Sequence, residues 1–282
     1  MTTLLAAGAP GVVQLATLLL VGATAGLLGG ALGIGGGLVM IPAMVLVFGT
    51  SVYGINSFHL FKLATLITAV VLSIPAVRQH LRARAVVVRM IPGIVVFALC
   101  GVAAGVALAS LLTDEHTETL RRSFGGFMLL AVAVKLWQSR TEPRGRYAPG
   151  AACPLPTRRW RIGAIVGLPA GLIGGTLGIG GGIWAVPAQS YILHIRLPSA
   201  IANSSCMIIA LAGGGAVCQA VAVHNMHGIH VVQGLWLALW LAPGALLGGS
   251  LGGRLAHRLP VGLLRAVFYV LLVITGVRLM LY

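Results

Sequence analysis

Negative charge is what this sequence has least of. Among 282 residues only four are acidic, Asp114, Glu115, Glu118 and Glu142, against 19 lysines and arginines, and charged residues of either sign make up 8%. A soluble domain carries about 25% charged residues, so a soluble fold of this size could not cover its surface. All four carboxylates fall in connecting segments, none in an apolar run. Carboxylates inside a membrane usually mark cation or proton pathways, and their absence argues against a metal-cation carrier or a carboxylate-driven pump. Cysteine is also scarce. Cys100, Cys153, Cys206 and Cys218 show no CxxC spacing, and three of them lie in apolar runs, where the thiol acts as a small core hydrophobe. No HExxH or P-loop occurs, so no enzyme is expected. The first residues lack a charged n-region, so no cleavable signal peptide is expected.

What is abundant is apolar: hydrophobic residues make up 58% of the chain, and there are 40 glycines. Glycine is commoner in membrane helices than in soluble ones, and several apolar runs reach the ~20 residues that a crossing needs. The chain reads as an all-α membrane protein. Its formal net charge of +15 invites a nucleic-acid reading, but the arginines stand in short clusters between apolar runs. Arginine left at one membrane face orients spans, and its expected partners are anionic lipid headgroups rather than nucleic acid.

The chain is duplicated. Residues 25–43 read AGLLGGALGIGGGLVMIPA and residues 170–188 read AGLIGGTLGIGGGIWAVPA, a match without gaps. Three units follow: a first transmembrane repeat over 1–140, a basic, Pro- and Gly-rich linker over 141–161 expected in the cytoplasm, and a second repeat over 162–282. Apolar segments are expected near 12–48, 59–77, 85–112 and 120–138, and again near 162–195, 198–223, 231–255 and 260–281. The last three of each set suit single transmembrane helices. The first is too long for one straight crossing and is interrupted by GIGGG, at 33–37 and 178–182. Each glycine costs about 1 kcal/mol against alanine in a helix, so each first segment should be two short helices flanking an unwound turn.

The arginines decide between a broken helix that crosses and one that turns back. Arg78, Arg82, Arg84 and Arg89 lie between the second and third segments, Arg254 and Arg258 between the last two, and the loop 224–230 has no Lys or Arg. Re-entrant first segments put all the basic loops on the cytoplasmic face. They also give each half an odd number of crossings, so the halves are expected to be inverted repeats, a frequent transporter architecture. A parallel duplication is the alternative.

An unwound turn at membrane depth leaves backbone amides to be satisfied by protein, water or ligand, and the helix after it points a positive N-terminus at the break. Gly33, Gly35, Gly36 and Gly37, with Gly178, Gly180, Gly181 and Gly182, are therefore candidate substrate-binding residues for a small anion; close helix packing is the competing role for such glycines. Lys62 stands inside an apolar helix, either as a fixed positive charge on an anion path or as a snorkelling interface residue. The second half carries Asn203, Ser204, Ser205 and Cys206 in the similar place, with Thr65 aligned near Asn203 and Gln189 one turn after the second break. Their amides and hydroxyls could bond oxyanion oxygens. His59 and His194 are nearest the candidate site and titrate near neutrality, which suits proton coupling. His224, His227 and His230 form HNMHGIH; a glycine interrupts them and no Cys or carboxylate is near, so a polar loop is expected, with no metal and no cofactor.

At GGALGIGGGLVMIP and GGTLGIGGGIWAVP the chain resembles the sulfite exporter TauE/SafE family of permeases, over nearly its whole length. The resemblance implies a bacterial inner-membrane permease that moves sulfur-containing anions such as sulfite, thiosulfate or organosulfonates, often outward. The Lys-Leu-Ala-Thr-Leu run at 62–66 departs from the family's commoner small-polar cluster. A permease or channel for another small solute or a metal cation, or a membrane assembly factor without transport, are the rival readings. Assembly as a homodimer stays open.

Overall fold

The computed structural model of the protein describes residues 12–32, 36–48, 57–111, 117–141, 159–226, 230–255 and 261–281. Gly33, Gly35 and His227, together with linker positions 142–158, lie outside them. Every regular element among the described residues is helical. In the first repeat these are α1 (Val12–Leu32), α2 (Gly37–Phe48), α3 (Ser57–Arg82), α4 (Ile91–Ser110) and α5 (Thr117–Thr141). The second repeat has α6 (Arg159–Ile162), which runs through a π-helical turn at Gly163–Gly167 into α7 (Leu168–Leu177). It continues as α8 (Gly182–Pro187), a second π turn at Ala188–Ile192, α9 (Leu197–His224), α10 (Val231–Leu255) and α11 (Val261–Leu281).

Among the described residues, five helical stretches are long and apolar enough to cross a membrane: Phe58–Arg82, Val88–Ser110, Trp160–Leu177, Pro198–His224 and Val231–Leu251. Large apolar side chains such as Leu99, Val217, Leu239 and Leu247 are exposed on their outer faces, as lipid-facing positions require. The first segment of each repeat departs from the expected two short helices. The break is off-centre: α1 has 21 residues, about 31 Å at 1.5 Å per residue, and α2 only 12. The glycines unwind the chain only where they crowd together. Isolated glycines further back, Gly22 and Gly26, stay helical because their faces are packed.

That packing exchanges the two repeats. α1 lies against α10 and α7 against α4, so each broken segment seats on the third long helix of the other half; α3 meets α9, and α5 meets α11. Glycine ridges make the first two contacts. A Cβ at Gly26 would lie 2.3 Å from the Ala245 carbonyl oxygen and one at Gly248 2.0 Å from that of Ala23; in the matching pair, a Cβ at Gly171 would lie 2.1 Å from the Ala98 oxygen and one at Gly105 2.4 Å from that of Leu172. Such spacing permits backbone to meet backbone, which is how helices associate in lipid, where no hydrophobic force separates them from solvent.

The registers give directions. Gly22 meets Leu241 and Gly26 meets Ala245; Gly167 meets Ile94 and Gly171 meets Ala98. Numbers rise together, so α1 runs parallel to α10 and α7 parallel to α4. Leu63 meets Gly234 and Leu72 meets Gly249, so α3 is parallel to α10 as well. Against α9 the numbers fall: His59 faces Gln219, Leu66 faces Gly215 and Val70 faces Gly213. The equivalent helices α3 and α9 are antiparallel. Since α1 and α3 share one direction, the chain between them returns to the side on which α1 began.

Candidate functional site

Where both are described, at Gly36 and Gly181, the two glycine breaks have the same local geometry. Gly36 and Gly181 sit at φ +68° and +69°, left-handed values that a side chain adopts only at a cost. The carbonyl of each accepts the first bonds of the half-helix after it, Val39 and Met40 N–H at Gly36, Trp184 and Ala185 N–H at Gly181. The first amides of those half-helices, beginning at Gly37 and Gly182, have no partner inside the helix. The breaks also touch. A Cβ on Gly37 would stand 3.0 Å from the Ile179 carbonyl oxygen, and one on Gly178 would stand 2.7 Å from Cγ and 3.1 Å from Cα of Lys62. The first break, the second break and the N-terminal part of α3 thus meet in one place.

Lys62 is fully buried, and its Nζ has no hydrogen-bond partner among the described residues. Snorkelling to an interface is therefore not what this lysine does. Thr65 and Ser204 are buried with unpaired hydroxyls too. They occupy equivalent positions: Leu72 packs on Gly36 as Leu211 packs on Gly181, and each hydroxyl lies seven residues before its leucine. Lys62 has no such twin, because isoleucine, Ile201, stands at the matching place. Buried polar groups are nearly always paired in folded proteins. Of the six unpaired buried side-chain atoms, five belong to α3 and α9: His59 Nε2, Lys62 Nζ, Thr65 Oγ, Ser204 Oγ and Gln219 Oε1.

Other expected ligands are already engaged. Asn203 Oδ1 accepts from Val87 N–H at 2.8 Å and its Nδ2 donates to Gln189 Oε1 at 2.9 Å, while Gln189 Nε2 donates to the Ala185 carbonyl at 3.2 Å. This chain of bonds ties the second half-helix to α9 and to the connection before α4. Ser205 donates to the Ile201 carbonyl one turn back, and Cys206 is half-buried. Gly180 and Gly182 are buried, with Gly180 beside Ile208. The two histidines separate: His59 is buried, whereas His194 is exposed in a turn at φ 55°. His224 and His230 are exposed, and no cluster of three or more His, Cys, Asp or Glu occurs among the described residues. Sequence reasoning missed Gln219, fully buried in α9 and bonded to His59. The signal was a lone amide in the apolar run AVCQAVAV.

A model of the sulfite exporter TauE/SafE family matches residues 18–279. The chain belongs to this family. TauE/SafE proteins are membrane transporters, not an enzyme class, and the chain shares their character as an apolar, multi-helical membrane protein. It is similar to the probable membrane transporter protein MamO of Paramagnetospirillum magneticum (strain ATCC 700264 / AMB-1), with 28% identity over 284 residues that cover 93% of this chain and 44% of that protein. It is also similar to MamO of Magnetospirillum gryphiswaldense, with 28% identity covering 76% of this chain and 37% of the relative. The chain thus spans less than half the length of these curated relatives. No solved structure matches this TauE/SafE chain.

Proposed function

We propose that this TauE/SafE protein is a bacterial inner-membrane permease for small sulfur-containing anions, such as sulfite, thiosulfate or organosulfonates, and that it moves them outward. The observation that carries the reading is Lys62: a buried amine with no partner among the described residues, packed on the second glycine break. A buried, unpaired charge is costly, and an arriving anion would supply what the fold withholds. Thr65 and Ser204 hydroxyls, the first amides of the two half-helices at Gly37 and Gly182, and the amides of Gly36, Gly180 and Gly181 add donors. An oxyanion needs several donors, and no buried carboxylate among the described residues competes for them.

The reading includes inverted repeats. The antiparallel α3 and α9, and the return of the chain between α1 and α3, support it. That path leaves three net crossings per half and brings Arg82, Arg84, Arg89 and Arg196 to one face, taken as cytoplasmic by the positive-inside rule and available to anionic headgroups.

The test is flux of sulfite and thiosulfate into proteoliposomes, with and without a pH gradient, for the natural chain and for Lys62→Met. Anion flux that the substitution removes supports the reading; flux of neither anion by the natural chain overturns it.

A further inference from the structure

His59 and Gln219 join α3 to α9 close to Lys62, and neither has a part in the site as described so far. Gln219 Nε2 lies 3.1 Å from His59 Nδ1 and 3.4 Å from the His59 carbonyl oxygen. A carbonyl oxygen only accepts, so the atom facing it is the amide nitrogen, and the amide orientation is fixed. An amide nitrogen only donates, so Nδ1 accepts. An imidazole whose Nδ1 accepts carries its proton on Nε2; a tautomer is inferred from such partners. His59 Nε2 is itself buried with no acceptor. His59, Lys62 and Thr65 follow one another at i, i+3 and i+6 on α3, each one turn on and about 60° round the helix from the last.

The geometry points to His59 as a fixed hydrogen-bond donor to the transported anion, held in its Nε2–H tautomer by Gln219, a positioning residue. The inference rests on the proposed anion site and adds to it a third side-chain donor from α3. His59 Nε2–H, Lys62 Nζ and Thr65 Oγ–H form a column of donors along α3, and an oxyanion with two or three oxygens can engage more than one of them. This role differs from proton relay. A relaying imidazole must take up a proton at one nitrogen and release one from the other, and here Nδ1 is occupied by the Gln219 N–H. It also accounts for Gln219 in the middle of an apolar helix, since its N–H serves the ring rather than the cargo.

The test uses the full chain in lipid with histidine labelled at the ring nitrogens. The His59 signals, assigned by their loss in His59→Gln, should show a protonated Nε2 and a bare Nδ1 in the anion-free protein. Gln219→Glu replaces the donor by an acceptor and should move the ring proton to Nδ1. Binding of sulfite and of methanesulfonate should fall at least tenfold in His59→Leu and in Gln219→Glu. It should stay within about threefold of the natural chain in His59→Gln, whose amide restores a donor at the Nε2 position. A proton on Nδ1 in the natural chain overturns the inference, and so does equal loss of binding in His59→Leu and His59→Gln, since the glutamine amide restores a donor at the Nε2 position. Unchanged binding in His59→Leu alongside loss in Lys62→Met overturns it too, while leaving the proposed site intact. Failure of the natural chain to bind either anion removes the site, and this role with it.

Discussion

Lys62 rests its Cα, Cβ and Cγ directly on Gly178, so that a single methyl group added to the glycine would lie within 3.1 Å of all three. A lysine of the first repeat is thereby placed at the glycine break of the second. The contact sets what each of the two residues can tolerate.

Gly178→Ala meets two obstacles, the Lys62 backbone and a φ of +74°. Gly180→Ala meets one, a φ of +75°, since its nearest outside atom would be 3.6 Å away. Left-handed backbone costs an alanine about 1–2 kcal/mol. Gly180→Ala should therefore insert and keep measurable transport. Gly178→Ala should displace Lys62 and abolish anion flux. Flux assays on the two variants, normalised to protein in the membrane, decide it; equal activity would mean that the Lys62 contact is immaterial.

Lys62→Met separates binding from stability. A hydrogen bond to a charged group is worth about 1.5–3 kcal/mol, so anion affinity should fall roughly 10- to 100-fold. The anion-free protein should melt at the same temperature or higher, because methionine fills a similar volume without a buried unpaired charge. Thermal unfolding in detergent with and without sulfite measures both. A lower melting point without anion would show that the lysine is held by the protein after all.

Asn203 is expected to act as a tie rather than as a ligand. Asn203→Ala leaves Val87 N–H and Gln189 Oε1 without partners, at about 1–3 kcal/mol for each buried group stranded. Stability should fall while the affinity of whatever folds is retained. Loss of affinity without loss of stability would return Asn203 to the anion site.

Topology is checked by labelling. With Cys100, Cys153, Cys206 and Cys218 replaced, a cysteine at Arg84 should react with an impermeant reagent only from the cytoplasm, and one at Asn225 only from outside. Labelling of both from the same side sinks the inverted arrangement.

Much of the fold was legible in the sequence because lipid makes heavy demands on composition. Long apolar runs and crowded glycines mark α9, α10 and the two breaks within a few residues. What was not legible is that Gly22 and Gly26 stay inside one long helix, because that rests on their burial against α10, a contact with a helix more than 200 residues later. Lys62 stood out as a charge in an apolar run. Asn203 and Gln189 stood out as polar residues, but composition does not tell a donor kept for cargo from one spent on a neighbouring amide. The pairing of Thr65 with Ser204, one place from the Asn203 suggested by alignment, emerges only from the matching leucines at Gly36 and Gly181.

The exchange of partners between repeats governs how the chain is made. Gly22 leaves the ribosome 219 residues before Leu241, an interval of roughly 10–40 s at usual synthesis rates. Throughout that time the glycine face of α1 has no α10 to meet and must be sheltered by lipid or by the insertion machinery. The second repeat does not wait in this way, because α4 is already in place when α7 enters. Quality control should therefore see the first helix as the last to find its seat, and truncation before α10 should leave α1 unclaimed rather than leave a working half.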